Sequence, residues 1–172
     1  MKALAIIDVQ QGMFDVAPPF DPARMLAALA DVLARARAAG APVFFVQHDG
    51  GEGSPLAKEA SGFAFHEALT PRAEDDITVK RHCSAFQDTA FHEKLLRANV
   101  NQLVIGGMQT EFCVDTAVRG AFERGIDVTL IADGHTTFDT PALGAEAIVA
   151  HHNHTLSSGN FAKVVAGVDV SF

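Results

Sequence analysis

One stretch constrains this chain more than any other: Leu103-Val104-Ile105-Gly106-Gly107-Met108-Gln109-Thr110-Glu111-Phe112-Cys113-Val114. Residues 101–105 carry a short apolar run with two β-branched members, which predicts a strand buried on both faces. Gly106 and Gly107 interrupt it and permit a sharp turn. From Val114 the period changes, and Val114, Ala117, Val118, Ala121 and Phe122 fall on one face of a helix. Cys113 is therefore expected where a helix opens, near unpaired N–H groups and the positive end of the dipole. That setting lowers a thiol pKa and favours the thiolate, although the same pattern suits a small cysteine that merely packs.

Around this centre, strand and helix signals alternate. Residues 3–7 read as a central parallel strand ending at Asp8. Gln10 and Phe14 follow in a loop. Asp21-Pro22 offers an N-cap and a proline at N1 for a helix whose apolar face is Met25, Leu29, Val32, Leu33 and Ala36, and Gly40 closes it. Residues 42–46 form a second strand. Residues 47–66 are irregular and rich in glycine, and a loop of that length in a compact domain is usually a lid or binding loop. A short strand at 77–80 ends in Lys80, and a helix spans about 89–98. After the central unit come a strand at 127–131, a helix opened by Thr140-Pro141 and running to about His152, and an edge strand at 162–165. The alternation predicts an α/β fold: a doubly wound, mostly parallel sheet with helices on both faces, a Rossmann-like three-layer α/β/α arrangement. At 172 residues the chain is expected to form one domain, residues 1–172.

Composition removes several function classes. The net charge is −8 and the basic residues are dispersed, so the basic stripe needed for nucleic acid is missing. No apolar run reaches membrane-spanning length, and residues 1–7 meet Asp8 too early for the core of a signal peptide. With only Cys83 and Cys113 there is no disulfide framework, and a reducing cytoplasmic setting is expected.

Asp8, Lys80 and Cys113 share one property. Each lies at or just past the carboxyl end of a predicted parallel strand, so all three can meet at one sheet edge. A carboxylate within reach of a thiol can take its proton, and a lysine can hold the ions together, which suits amide hydrolysis. An ion pair of Asp8 and Lys80 without catalytic work is the plainer reading.

Residues 3–139 resemble the isochorismatase-like cysteine hydrolases, a family that includes nicotinamidases and several N-carbamoyl and ureido amidohydrolases. The resemblance rests on Ile7-Asp8-Val9-Gln10 with Phe14, on Lys80 with Ser84-Ala85-Phe86, on the run from Gly107 to Val114, and on Ala132-Asp133-Gly134-His135-Thr136-Thr137. It implies a triad of Asp8 as general base, Lys80 as its cationic partner and Cys113 as nucleophile. It also implies a cis peptide between Met108 and Gln109, and an oxyanion hole from the backbone N–H groups of Gln109 and Cys113. The implied course is attack by sulfur, loss of ammonia or an amine, and hydrolysis of a thioester. Family members that cleave isochorismate act on a vinyl ether and typically lack the cysteine, so Cys113 points toward amide-type substrates. A vinyl ether hydrolase and an idle binding or thiol-redox protein remain the alternatives.

Gln10, Phe14, Phe86, His135 and Phe138 are the candidates for the substrate pocket, the aromatic ones being equally explained as core. Cys83, near Lys80 in sequence, reads as a passive thiol. Nicotinamidases carry a metal site with an Asp-x-His pattern after the second strand, where this chain has Gln47-His48-Asp49-Gly50. No metal or other cofactor is therefore expected, with His48, Asp49 and His66 left open as a possible cluster. His151, His152 and His154 lack a completing carboxylate or thiol. The expected partners are a small-molecule substrate and a second copy of the chain, in a homodimer or larger homo-oligomer.

Overall fold

The structure, a computed structural model, describes residues 1–15 and 17–172. Its strands are β1 (Lys2–Ile7), β2 (Val43–His48), β3 (Asp76–Lys80), β4 (Gln102–Met108), β5 (Asp127–Thr136) and β6 (Lys163–Val165). The helices are α1 (Gly12–Asp15), α2 (Pro22–Ala38), α3 (Phe91–Arg97), α4 (Asp115–Phe122) and α5 (Ala145–Ser158). The strands form one sheet in the order β3-β2-β1-β4-β5-β6, and every pairing is parallel. This is the doubly wound order, with the chain reversing its direction of travel between β1 and β4.

Side-chain alternation along the strands sorts the core into two layers. Ala3, Ala5 and Ile7 of β1 join Phe91 and Leu95 of α3, Ala117, Val118 and Ala121 of α4, and Leu156 of α5. Leu4 and Ile6 point the other way and meet Met25, Leu29, Val32, Leu33 and Ala36 of α2. Both faces are covered, which is why β1 is apolar from Ala3 to Ile7. Among the described residues, no helix is long and apolar enough to cross a membrane.

Four local expectations are corrected. Asp21 sits at φ +41° and makes no side-chain cap, so the proline after it, not a capping bond, starts α2. The helix expected from Thr140 begins at Ala145, because Thr140 Oγ1 accepts from the N–H groups of Ala142 and Leu143 and turns the chain there instead. Asp139 Oδ1 then takes the N–H of Ala145. That helix also runs past His152 to Ser158. Finally, helical structure after β4 begins at Thr110, with a π-turn over Thr110–Val114 in which Val114 N–H bonds Gln109 O at 3.1 Å. Cys113 lies inside that turn and not at its opening.

Of the glycines, Gly107 leaves the least room for a side chain. It pairs with Ile7 across the point of reversal and holds φ +134°. A β-carbon there would lie 2.0 Å from Ile7 O, a backbone atom that cannot step aside without moving β1. Gly107→Ala is expected to destabilise the fold by about 3 kcal/mol or more, read as a lowered denaturation midpoint. An unchanged midpoint would mean that β1 and β4 tolerate separation.

Candidate active site

Three neighbouring strands and one turn deliver four polar side chains to the carboxyl edge of the sheet. Asp8 follows β1, His48 ends β2, Lys80 ends β3 and Cys113 follows β4. Asp8 holds φ +50°, in the left-handed region, which turns the chain out of the sheet directly after Ile7. Lys80 starts two strands away from β1, about 10 Å at the usual strand spacing, and a long side chain is needed to return across β2. It does return. Lys80 Nζ lies 2.6 Å from Asp8 Oδ2, donates to Cys113 Sγ at 3.2 Å and meets His48 Nδ1 at 3.3 Å.

The ion pair is fully buried, with the side chains of Lys80 and Asp8 at 0% and 3% exposure. An ammonium has three protons to give and nothing to accept with. Its three neighbours therefore act as acceptors, and His48 Nδ1 must carry a lone pair. Asp8 Oδ2 meets the ammonium, while Oδ1 has no hydrogen-bond donor among the described residues and keeps room for a proton.

Burial raises the Asp8 carboxyl above its ordinary value, with Lys80 working against the rise. Burial opposes the Lys80 ammonium, yet Asp8 and Cys113 outweigh it and leave lysine more firmly protonated than usual. The Cys113 thiol is pushed up by burial and by the Asp8 carboxylate, more than Lys80 pulls it down. This corrects the expectation of a lowered thiol pKa. Cys113 is not at the exposed opening of a helix, and the negative charge that raises it belongs to Asp8. Burial also lowers His48, and Lys80 beside it adds to the effect, so its imidazole is neutral.

The Met108–Gln109 peptide is cis, as the resemblance implies. Gln109 O accepts from the N–H groups of Phe112 and Val114, while Gln109 N–H has no acceptor among the described residues. Beside it opens a pocket of about 190 Å³ lined by Asp8, Met13, His48, Leu56, Cys83, Met108, Gln109, Phe112 and Cys113. Leu56 comes from the long irregular loop. That loop is strapped to the segment after β1, where Gln11 N–H bonds Ala64 O and His66 N–H bonds Val9 O.

The other candidates for the pocket do different work. Gln10 is fully buried; its amide donates to His48 O and Phe63 O and accepts from His48 N–H, which fixes the end of β2 and the loop. Phe14 packs against the ring of His66 at 4.6 Å. Phe86 is core, in contact with Phe91 and beneath the Arg124 guanidinium. Phe138 packs against the layer that contains α2. None of these aromatic residues lines the pocket. His135 lies one layer behind it, where Thr110 Oγ1 bonds its Nδ1 at 2.9 Å and its Nε2 bonds Asn153 Oδ1 at 3.0 Å. Asn153 in turn donates to Ala132 O, so this chain of bonds ties the turn that carries Cys113 to β5.

The possible metal cluster does not fit a cation. Asp49 is taken by the Arg81 guanidinium and by Gly51 N–H. His48 Nδ1 faces an ammonium, and His66 accepts from Ala68 N–H. Among the described residues no three His, Cys, Asp or Glu side chains are grouped to hold a metal. Met13, Leu56, Met108 and Phe112 were not foreseen as walls. His48 could have been found, since it ends its strand as Lys80 does.

Residues 2–163 match the family model described as the isochorismatase domain. The chain belongs to the isochorismatase family. It is 35% identical over 145 residues to a streptothricin hydrolase of Streptomyces noursei, a match that covers 83% of this chain and 57% of that protein. It is 30% identical to the ureidoacrylate amidohydrolase RutB of Methylobacterium radiotolerans, covering 63% of this chain and 54% of the relative. The chain thus spans little more than half the length of these curated relatives. A crystal structure of an isochorismatase family protein superposes with a TM-score of 0.87 at 30% identity, covering 96% of this chain and 98% of the other.

Two measurements check the electrostatics. Alkylation of Cys113 followed against pH is expected to give an apparent pKa above the ordinary thiol value of about 8.5. Asp8→Asn should bring it down, because the negative neighbour leaves while Lys80 stays. A wild-type value below 8.5 would contradict the site as described. Burial also lowers His135 to about 4 from an ordinary 6.5. Its neutral form is the folded one, so the stability it lends is complete above pH 6.5 and is lost as pH falls toward 4. Denaturation of wild type and His135→Gln across that window should show roughly 3 kcal/mol more acid loss in wild type.

Proposed function

We propose that the chain is a cysteine-dependent hydrolase of small amides or related C–N bonds, with Asp8 as general base, Lys80 as cationic partner and Cys113 as nucleophile. The observation that carries this reading is the single buried ammonium of Lys80 in contact with both Asp8 Oδ2 and Cys113 Sγ. Family membership supports it, and so do the names of the relatives. One is a streptothricin hydrolase and another an amidohydrolase.

The chemistry follows from the charges. Asp8 takes the thiol proton, and sulfur forms a bond to the substrate carbonyl carbon as the carbonyl π pair moves to oxygen. That oxyanion is stabilised by the N–H groups of Gln109 and Cys113, donors already in place before charge develops. Collapse breaks the C–N bond, and Asp8 returns its proton to the departing nitrogen, releasing ammonia or an amine. Water, deprotonated by Asp8, then attacks the thioester carbonyl, and the acid leaves as sulfur regains a proton. Lys80 stays protonated, because the negative charge that Asp8 and Cys113 exchange favours the ammonium on either atom.

A panel of uncharged small amides, read by release of ammonia or amine, tests the proposal. Cys113→Ala is expected to remove turnover. Asp8→Asn should cut it by about 10²–10⁴-fold, the usual contribution of a positioned base, even though it lowers the thiol pKa. Unchanged turnover in Cys113→Ala would remove sulfur from the chemistry and overturn the nucleophile assignment. An Asp8→Asn protein as fast as wild type would reduce the pair to a structural ion bridge.

A further inference from the structure

His48 stands on the pocket wall, and the reaction as proposed gives it no role. Its ring is half-buried, and Nδ1 accepts from Lys80. An imidazole whose Nδ1 accepts, and which carries no charge, must hold its proton on Nε2. That nitrogen has no partner among the described residues, and the ring borders the cavity.

The remaining walls narrow the ligand. Met13, Leu56, Met108 and Phe112 make the lining largely apolar, with Cys83 and Gln109 beside them. The charges present, Asp8 and Lys80, neutralise each other at 2.6 Å. A charged ligand would lose its hydration and find no unpaired counter-ion, which disfavours its entry. At about 190 Å³ the cavity is also below the 300–1,000 Å³ usual for drug-sized ligands.

From these features we infer that the pocket selects a small, uncharged amide with an apolar body and one hydrogen-bond acceptor, and that His48 Nε2–H is the donor that reads this acceptor. The inference rests on the hydrolase reading for the word amide, but the recognition it describes does not require turnover. His48 is a specificity-determining residue here. The nucleophile and base are complete without it.

Three isosteric probes separate the possibilities: cyclopentanecarboxamide, tetrahydrofuran-3-carboxamide, whose ring oxygen is an acceptor, and pyrrolidine-3-carboxamide, whose ring nitrogen is cationic at neutral pH. Binding is measured by calorimetry on Cys113→Ala, and hydrolysis on the intact protein. The ether should bind roughly ten-fold more tightly than the cyclopentane, the worth of one satisfied buried donor, and the cation more weakly than either. In His48→Leu, on the Cys113→Ala background, the preference for the ether should vanish. In His48→Gln, which places an amide donor where Nε2 was, it should return.

Equal binding of ether and cyclopentane, a preference that survives His48→Leu, tightest binding of the cation, or no binding of any probe would each overturn the inference. The expected binding order without hydrolysis by the intact protein would uphold it while the hydrolase reading fell. A loss of alkylation reactivity at Cys113 in His48→Leu, with both neutral probes weakened alike, would make His48 a prop for Lys80 and would likewise overturn it.

Discussion

Everything at the sheet edge depends on one buried ammonium. Lys80 Nζ has water on no side, and its charge is balanced by Asp8 and shared with Cys113 Sγ and His48 Nδ1. Breaking such a pair by removing one partner would leave a buried charge uncompensated, commonly at a cost of about 3–5 kcal/mol. The arrangement is therefore a poor way to gain stability and a good way to fix geometry. Each of the three neighbours ends or follows a different strand, so the ammonium also sets the spacing of four chain segments.

That spacing depends on Gly107, which pairs with Ile7 where the sheet reverses. Gly107 leaves its β-carbon out so that Ile7 O can occupy the space. The register continues from Ile7 and Gly107 directly into Asp8 on one side and the π-turn on the other. A wider turn would carry Cys113 away from the base. The network behind the turn, from Thr110 through His135 and Asn153 to Ala132, keeps it from shifting outward.

The fold was largely legible because strand and helix periods differ and both faces of the sheet are covered. Six strands, their order of use and the positions of Asp8, Lys80 and Cys113 at their ends followed from apolar runs bounded by polar residues. The misses have physical causes. Pro141 resembles a helix start, but Thr140 satisfies the neighbouring N–H groups itself and defers the helix to Ala145. Gln10, Phe14 and Phe86 are close in sequence to site residues, yet side-chain direction sends them into the loop strap, the ring of His66 and the core. The pocket walls come from a loop without period, so nothing in the pattern distinguished Leu56 from its neighbours. The thiol pKa was misjudged because helix position is a local signal, whereas burial and Asp8 act from other parts of the chain.

A thiol held protonated at rest is not a handicap for the reaction proposed. Low thiol pKa raises the fraction of thiolate but lowers its intrinsic nucleophilicity. Burial here raises both the Asp8 carboxyl and the Cys113 thiol, which makes Asp8 a stronger base and the eventual thiolate a stronger nucleophile. The cost is that charge on sulfur is unfavourable until something offsets it. Lys80 offers part of that offset permanently, and a carbonyl carbon held over the sulfur would offer the rest by taking the electron pair into a bond. Proton transfer and attack are then coupled to occupancy of the pocket. In the reaction proposed, the proton would pass from sulfur to Asp8 only as a carbonyl carbon takes up the electron pair.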